Sequence, residues 1–160
     1  MYAERQMQMQ PASASDKRDL DRTEIPDDLG NTIKKNRAYK LQVDLPQRGY
    51  FLLINQGVSG RKYGLCPSRA YYPDGNLLGI SPIVLPHVKG LAKSLSYTTP
   101  GKEYFLAVVT EEPLSLSWFK PDSDPRDILI NESRLSEIFQ QVGKQKSSVF
   151  YATFQGIDKG

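Results

Sequence analysis

A run of five consecutive apolar residues, followed by turn residues and a second short run, constrains this chain more than any other feature. The first run is Tyr-Phe-Leu-Leu-Ile at residues 50–54, turn-forming residues lie between Asn55 and Gly60, and the second run ends at Pro67. The first run is short and bounded by glycine, and no apolar stripe at helical spacing continues past it, which favours a strand over a helix. The stretch therefore predicts a β-hairpin whose first strand is buried on both faces.

Strand patterns recur along the rest of the chain. Tyr39, Leu41 and Val43 alternate with polar residues, which is typical of a half-buried strand. Long apolar segments at residues 103–110 and 149–154 predict a central strand beside the first run and a closing strand. Weaker patterns predict an irregular or edge strand at 77–85 and short strands at 95–98 and 114–118. The chain is therefore predicted to be mainly β, as an antiparallel β-sandwich with an immunoglobulin-like outline.

One C-terminal segment has helical rather than strand spacing. Leu135, Ile138, Phe139 and Val142 stand at positions i, i+3, i+4 and i+7, Asn131 or Ser133 is placed to cap the start, and Gly143 suits the end. The pattern predicts an amphipathic helix that covers an open end or edge of the sheets.

The chain of 160 residues has room for one domain of ordinary size and a tail. Residues 1–35 are rich in polar and charged side chains, and their apolar residues are isolated, which predicts a disordered N-terminal tail. Residues 36–158 are predicted to form the β-sandwich domain. Removal of residues 1–30 is accordingly expected to leave the melting temperature nearly unchanged.

The single cysteine excludes an internal disulfide, and no apolar stretch has the length of a membrane-spanning helix or the form of a signal peptide. These features predict a cytoplasmic protein without a membrane partner.

No set of residues has the pattern of a catalytic or metal site. His87 is the only histidine, and Cys66 follows an apolar run without a histidine nearby, so both are interpreted as structural, with the thiol buried and inert. Gly57, Gly60 and Gly64 lack the lysine and helix of a phosphate loop and are interpreted as turn residues. The sequence therefore predicts a non-enzymatic protein with no catalytic residue, metal or cofactor.

The charge distribution leaves two binding hypotheses open. Residues 40–102 contain eight basic against two acidic side chains, whereas residues 103–160 contain six against nine. In the first hypothesis the chain binds a protein, because arginine and tyrosine are enriched at interaction hot spots. In the alternative, the basic block 40–102 binds single-stranded nucleic acid, with lysines on phosphates and tyrosines stacked on bases. The candidate contact residues are Arg61, Lys62, Arg69, Tyr71 and Tyr72.

A set of turn and core residues between positions 39 and 113 resembles a known family pattern. The set comprises Gly49-Tyr50 with the apolar run behind them, Asn55, Gly57, Leu65, Pro67, Asn76, Pro86, and Pro100-Gly101-Lys102-Glu103 leading into residues 104–110. It resembles a bacterial domain-of-unknown-function family, a small β-sandwich often appended to protein kinases, caspase-like peptidases or curli-secretion-type lipoproteins. The chain departs from the family pattern at Cys66 and Ser68, where phenylalanine and asparagine are usual.

The resemblance implies a fold and a role rather than a chemistry, because the shared residues are turn and core residues. The 160 residues contain no kinase or peptidase domain beside the predicted sandwich. The resemblance therefore implies an accessory or regulatory module acting on a kinase-, peptidase- or other effector-type protein that is supplied in trans.

Overall fold

The computed structural model describes residues 7–12, 31–73, 82–124 and 128–158. Its strands are β1 (Met7–Pro11), β2 (Thr32–Lys34), β3 (Tyr39–Val43), β4 (Tyr50–Gln56), β5 (Lys62–Cys66), β6 (Ile83–Leu85), β7 (Gly101–Thr110) and β8 (Ser147–Ile157), and its helix is α1 (Glu132–Val142). The strands form a three-stranded sheet in the order β1-β3-β6 and a five-stranded sheet in the order β2-β8-β7-β4-β5. The prediction of a mainly β chain with one C-terminal helix is confirmed, with two sheets in the described ranges.

The predicted hairpin is formed by β4 and β5, and β4 is an interior strand of the five-stranded sheet, between β5 and the central strand β7. Phe51 and Leu53 point to one face of this sheet, whereas Leu52 and Ile54 point to the other. All four side chains are buried. The unbroken apolar run is therefore explained by two separate cores, one on each face of the sheet.

The inner core lies between the two sheets. The three-stranded sheet contributes Leu41 and Val43, and the five-stranded sheet contributes Leu53, Phe105 and Phe154 to the same cluster. The rings of Phe105 and Phe154 meet edge to face with centroids 5.6 Å apart, a favourable arrangement for aromatic pairs.

The outer core lies on the opposite face of the five-stranded sheet, beneath α1. Ile138 and Val142 of the helix pack in one cluster with Leu52, Ile54 and Val108 of β4 and β7. The prediction that the helix covers an edge or open end of the sheets is wrong. The helix packs on a sheet face because that face presents a second row of apolar side chains.

The segment between β7 and α1 completes the outer core without forming the predicted strand at residues 114–118. Leu116 and Phe119 are buried there, and Trp118 donates from Nε1 to the Glu137 carboxylate at 2.9 Å. Phe119 crosses β5 at Gly64, where a Cβ atom would lie 2.3 Å from the phenylalanine ring. The prediction of Gly64 as a turn residue is wrong, because Gly64 lies inside β5 and its missing side chain makes room for the Phe119 ring.

The structure differs from the predicted N-terminal tail at two strands. Residues Met7–Pro11 form β1, which pairs antiparallel with β3 over five residues, and Thr32–Lys34 form β2, which pairs parallel with β8. Met7, Met9 and Ile33 are buried. These segments are ordered because strands distant in the chain supply their hydrogen bonds and apolar contacts. Residues 1–6 and 13–30 of the predicted tail lie outside the described residues.

Two of the weaker strand predictions are met only in part. Ile83–Leu85 form β6 at the edge of the three-stranded sheet, and residues 77–81 lie outside the described ranges. Leu95 makes an isolated bridge with Tyr39 instead of forming a strand.

Candidate functional site

The five contact residues predicted from the sequence do not form one surface. Arg61 is exposed in the turn before β5 and Lys62 is the first residue of that strand, whereas Arg69 lies beyond its other end. Arg69 is exposed and makes a 4.0 Å ion pair with Asp124. The intervening strand separates Arg61 and Lys62 from the loop that carries Arg69, Tyr71 and Tyr72.

The two tyrosines of that loop belong largely to the inner core. Tyr72 is only 6% exposed, and its ring centroid lies 4.6 Å from that of His87. Tyr71 is half-buried and packs against the same cluster, and burial, followed by the nearby Asp124 carboxylate, raises the pKa of its hydroxyl. The side chain of Tyr72 fills space between the sheets, which argues against the contact role predicted for it.

Cys66 is buried and its thiol donates to the Phe51 carbonyl at 3.9 Å. Burial raises the pKa of this thiol far above its usual range, so little of it is in the reactive thiolate form. The predicted burial of Cys66 is confirmed.

Within the described ranges, no three histidine, cysteine or acidic side chains come together as a group that could hold a metal ion.

Strand β8 is paired along its full length on one side but only at its C-terminal end on the other. Its residues 147–156 pair with β7, whereas β2 pairs only with Gln155, Gly156 and Ile157. In the part of the chain that the structure describes, no strand pairs with residues 147–154 on the side away from β7. This part of β8 is therefore an open sheet edge, referred to below as the β8 edge.

The direction of the free backbone groups at the β8 edge follows from the pairing at its two ends. The Ile157 carbonyl accepts from Lys35 of the segment after β2, and the Lys146 carbonyl accepts from Glu111 on the β7 side. Backbone groups alternate in direction along a strand, and the pairing with β7 has no register shift. The N–H and C=O groups of Val149 and Tyr151 therefore point outward from the β8 edge.

The outer face of the sheet next to this edge carries an exposed apolar surface. Val149 pairs with Val108 and Tyr151 with Leu106, so their side chains lie on the same face as α1. Since α1 packs over β4 and β7, the side chain of Tyr151 on β8 is left 74% exposed. We call this surface the apolar strip, and its members are Tyr104, Leu106, Leu135, Phe139, Val149 and Tyr151.

Basic side chains flank one end of the apolar strip. Lys62 and Gln56 are in register with Tyr104 across β5, β4 and β7. Together with Leu135 and Tyr151 they line a shallow groove of about 100 Å³. Lys102, two residues before Tyr104 on the same strand, is exposed on this face as well. Of the five predicted contact residues, Lys62 alone lines this groove.

A second cleft, of about 160 Å³, lies at the end of β4 between Tyr50, Pro67, Pro113, Leu114 and Pro121. Sites for drug-sized ligands usually enclose about 300 to 1,000 Å³. Both grooves are therefore better suited to receive single side chains of a macromolecule than to enclose a small molecule.

Glu103 is the one acidic side chain that is buried among the described residues, and it lies on the inner face of β7. Its carboxylate accepts from Asn55 Nδ2 at 3.1 Å. Burial raises the pKa of this carboxyl, while hydrogen bonds from the Asn55 side chain and the Val58 backbone partly lower it. Its low exposure and its bond to Asn55 suit a structural role rather than proton exchange with a substrate.

Replacing Glu103 by glutamine is expected to flatten the dependence of stability on pH. Because the folded-state pKa lies above the usual glutamate value of 4.5, the folded protein holds this proton more tightly than the unfolded chain does. The wild type should therefore lose stability relative to Glu103→Gln as pH rises from 4.5 through the folded-state pKa. Urea unfolding of both proteins across this window measures the effect, and a difference that stays constant with pH would contradict it.

No helix in the described ranges combines the length and the apolar character needed to cross a membrane.

Comparison with protein-family models, with curated proteins and with solved structures gives no significant match. The function of the chain must therefore be inferred from its own geometry.

The apolar strip was missed in the sequence because its residues were assigned to the core. Phe139 fits the helical stripe, and Val149 and Tyr151 fit a closing strand. Residues 147–154 contain one indication of an exposed apolar surface. Apolar residues occupy both sets of alternating positions there, and no charged residue interrupts them. Such a strand needs cover on both faces and both edges, and α1 is too narrow to cover all of the outer face.

Proposed function

We propose that the chain is a non-enzymatic accessory module that binds a protein partner, supplied in trans, through the apolar strip. The observation that carries this proposal is the exposure of two tyrosines, Tyr104 at 40% and Tyr151 at 74%, on one sheet face together with Val149. Phe139 of α1 is exposed on the same side of the sheet. Contiguous exposed apolar surface is typical of protein interaction sites. Tyrosine is among the residue types that contribute most to binding energy at such sites.

The charges beside the apolar strip indicate the chemistry of the partner. Lys62 and Lys102 lie at its Tyr104 end, so a complementary segment has apolar side chains for the strip and carboxylates for the two ammonium groups. Complementary rim charges accelerate association and select the orientation of binding more than they add affinity.

The resemblance to accessory bacterial domains supports the same role on independent grounds. By that resemblance, we propose a sandwich with an immunoglobulin-like outline, a cytoplasmic location and a kinase-, peptidase- or other effector-type partner. The shared inner core of the two sheets supports the sandwich part of this proposal.

One observation favours binding of single-stranded nucleic acid as the second candidate function. Tyr104 is exposed on an open sheet face between Lys62 and Lys102. A tyrosine that stacks on a base, beside lysines that contact phosphates, is the usual arrangement in proteins that bind single strands. This candidate differs from the first in its strong dependence on salt.

The test of the proposed function removes the strip tyrosines one at a time. The full chain is immobilised and used to capture proteins from an extract of the cells that produce it. We expect Tyr151→Ala and Tyr104→Ala each to weaken capture of a specific partner by roughly tenfold or more. Val88→Ala is the control, because Val88 is an exposed apolar residue that lies outside the apolar strip, in the loop after β6. Equal loss of capture in the control, or unchanged capture in both tyrosine variants, would contradict the proposal.

Fluorescence anisotropy with a labelled single-stranded oligonucleotide separates the second candidate. A protein-binding module should show no tight binding at physiological salt. Sub-micromolar binding that falls steeply with salt and is lost in Lys62→Ala and Lys102→Ala would decide for nucleic acid.

A further inference from the structure

In the described part of the chain, the β8 edge shows none of the features by which sheet edges commonly avoid pairing with another chain. Natural edges are shortened, charged, interrupted by proline, bulged or covered. Residues 147–154 contain no charged residue and no proline, and their ladder with β7 has no bulge. Val149 and Tyr151 are exposed, and their backbone N–H and C=O groups point outward.

The other described sheet edges differ from the β8 edge in this respect. Strand β6 has three residues, β2 also has three, and β1 ends in Pro11. Strand β5 is covered by the segment before α1, where Gly64 donates to Ile128 and Ile130 donates to Lys62. Among these edges, the β8 edge is the one left long, flat and open.

The sequence of the β8 edge is complementary to itself in the antiparallel direction. If a twofold axis passes through Phe150, Val149 of one copy lies opposite Tyr151 of the other, Ser147 lies opposite Thr153, and Phe150 lies opposite its own equivalent. Val149 and Tyr151 carry the outward backbone groups, so they form the hydrogen-bonded pair in this register. Pairs of aromatic with β-branched residues and of serine with threonine stabilise neighbouring strands, and no like charges meet.

We propose that the β8 edge binds the β8 edge of a second copy of this chain, antiparallel about Phe150. The resulting homodimer has one continuous sheet with five strands from each copy. The pairing between copies uses the backbone groups of residues 147–153 and stops before Gln155, the first residue of β8 that pairs with β2. Since the outer face stays free, the twofold axis joins the two apolar strips into one surface. The use of this joined surface rests on the proposed function, since the dimer would then present both apolar strips to the partner.

Two edge variants test the proposal by sedimentation velocity of the full chain over a range of concentrations. Val149→Pro removes one outward N–H and leaves the ladder with β7 intact, because the Val149 amide points away from β7. Tyr151→Lys places an ammonium group beside the twofold axis in both copies. We expect a dimer for the wild type and a dimer dissociation constant raised by roughly tenfold or more in each variant.

Tyr104→Lys is the matched control, since it makes the same substitution on the same face but on β7. We expect the control to dimerise like the wild type even though it removes a residue of the apolar strip. A wild type that stays monomeric, or a dimer that Val149→Pro and Tyr151→Lys leave unchanged, would overturn the proposed dimer. Loss of partner capture in Tyr104→Lys, with dimerisation intact, would report on the proposed function alone.

A disulfide tests the register without depending on affinity. In a non-hydrogen-bonded antiparallel pair the Cα atoms are about 4.5 Å apart, within the range that a disulfide requires. Phe150→Cys should therefore form a crosslinked dimer with oxidised glutathione as the oxidant, whereas Val149→Cys, which lies opposite Tyr151, should not. Cys66 is buried and does not compete. Equal crosslinking of both variants, or crosslinking of Val149→Cys alone, would overturn the register.

Discussion

Replacing Met7 and Met9 together by alanine is expected to lower the free energy of unfolding by about 4 kcal/mol or more. The two side chains are 3% and 8% exposed, and they pack in the inner core with Leu41 and Val43 of β3. Truncating each methionine removes buried apolar surface and leaves a cavity between the sheets. The midpoint and slope of urea unfolding measure the loss.

Gln10→Ala is the control for this prediction, because Gln10 is exposed on the opposite face of β1 and its side chain donates to the Gln42 side-chain oxygen at 3.1 Å. It should change stability by about 0.5 kcal/mol or less.

By the same reasoning, removal of residues 1–30, which include β1, should destabilise the protein, contrary to the expectation from sequence alone. Unchanged stability in both the double variant and the truncated chain would show that β1 contributes little to the fold.

Tyr72→Ala is expected to lower the free energy of unfolding by about 3 kcal/mol or more. The ring is buried against His87 and the inner core, so its removal leaves a cavity that the two sheets cannot fill by a small shift. Thermal and urea unfolding measure this loss. Partner binding by the fraction that remains folded should be unchanged, because the side chain does not reach the surface.

Arg69→Ala in the same loop is the control. Its side chain is 55% exposed and its ion pair with Asp124 spans 4.0 Å, so the substitution should cost about 1 kcal/mol or less. A stable Tyr72→Ala protein that has lost partner binding would restore the contact role predicted from the sequence and would contradict the core assignment.

The central strands and the helix were predictable because their signals are local. Residues 50–54 form an unbroken apolar run, and the four apolar residues of α1 stand at helical spacing behind Asn131, which caps the helix by accepting from the Arg134 amide at 2.8 Å. Strand β1 was not predictable in the same way, although Met7 and Met9 alternate with glutamine. Two apolar residues are too few to establish a period, and the strand gains its order from β3, more than 25 residues further along the chain.

By itself, the amino-acid sequence determined that the chain is mainly β, where its two longest apolar strands lie and where its helix begins and ends. Tertiary structure alone decided which apolar residues are buried and which are exposed. Tyr72 stands in a loop beside a proline and Tyr151 in an apolar strand, yet the loop tyrosine fills the inner core and the strand tyrosine is 74% exposed. The physical reason is that burial depends on what covers a residue in space: α1 covers β4 and β7 but leaves the outer face of β8 open.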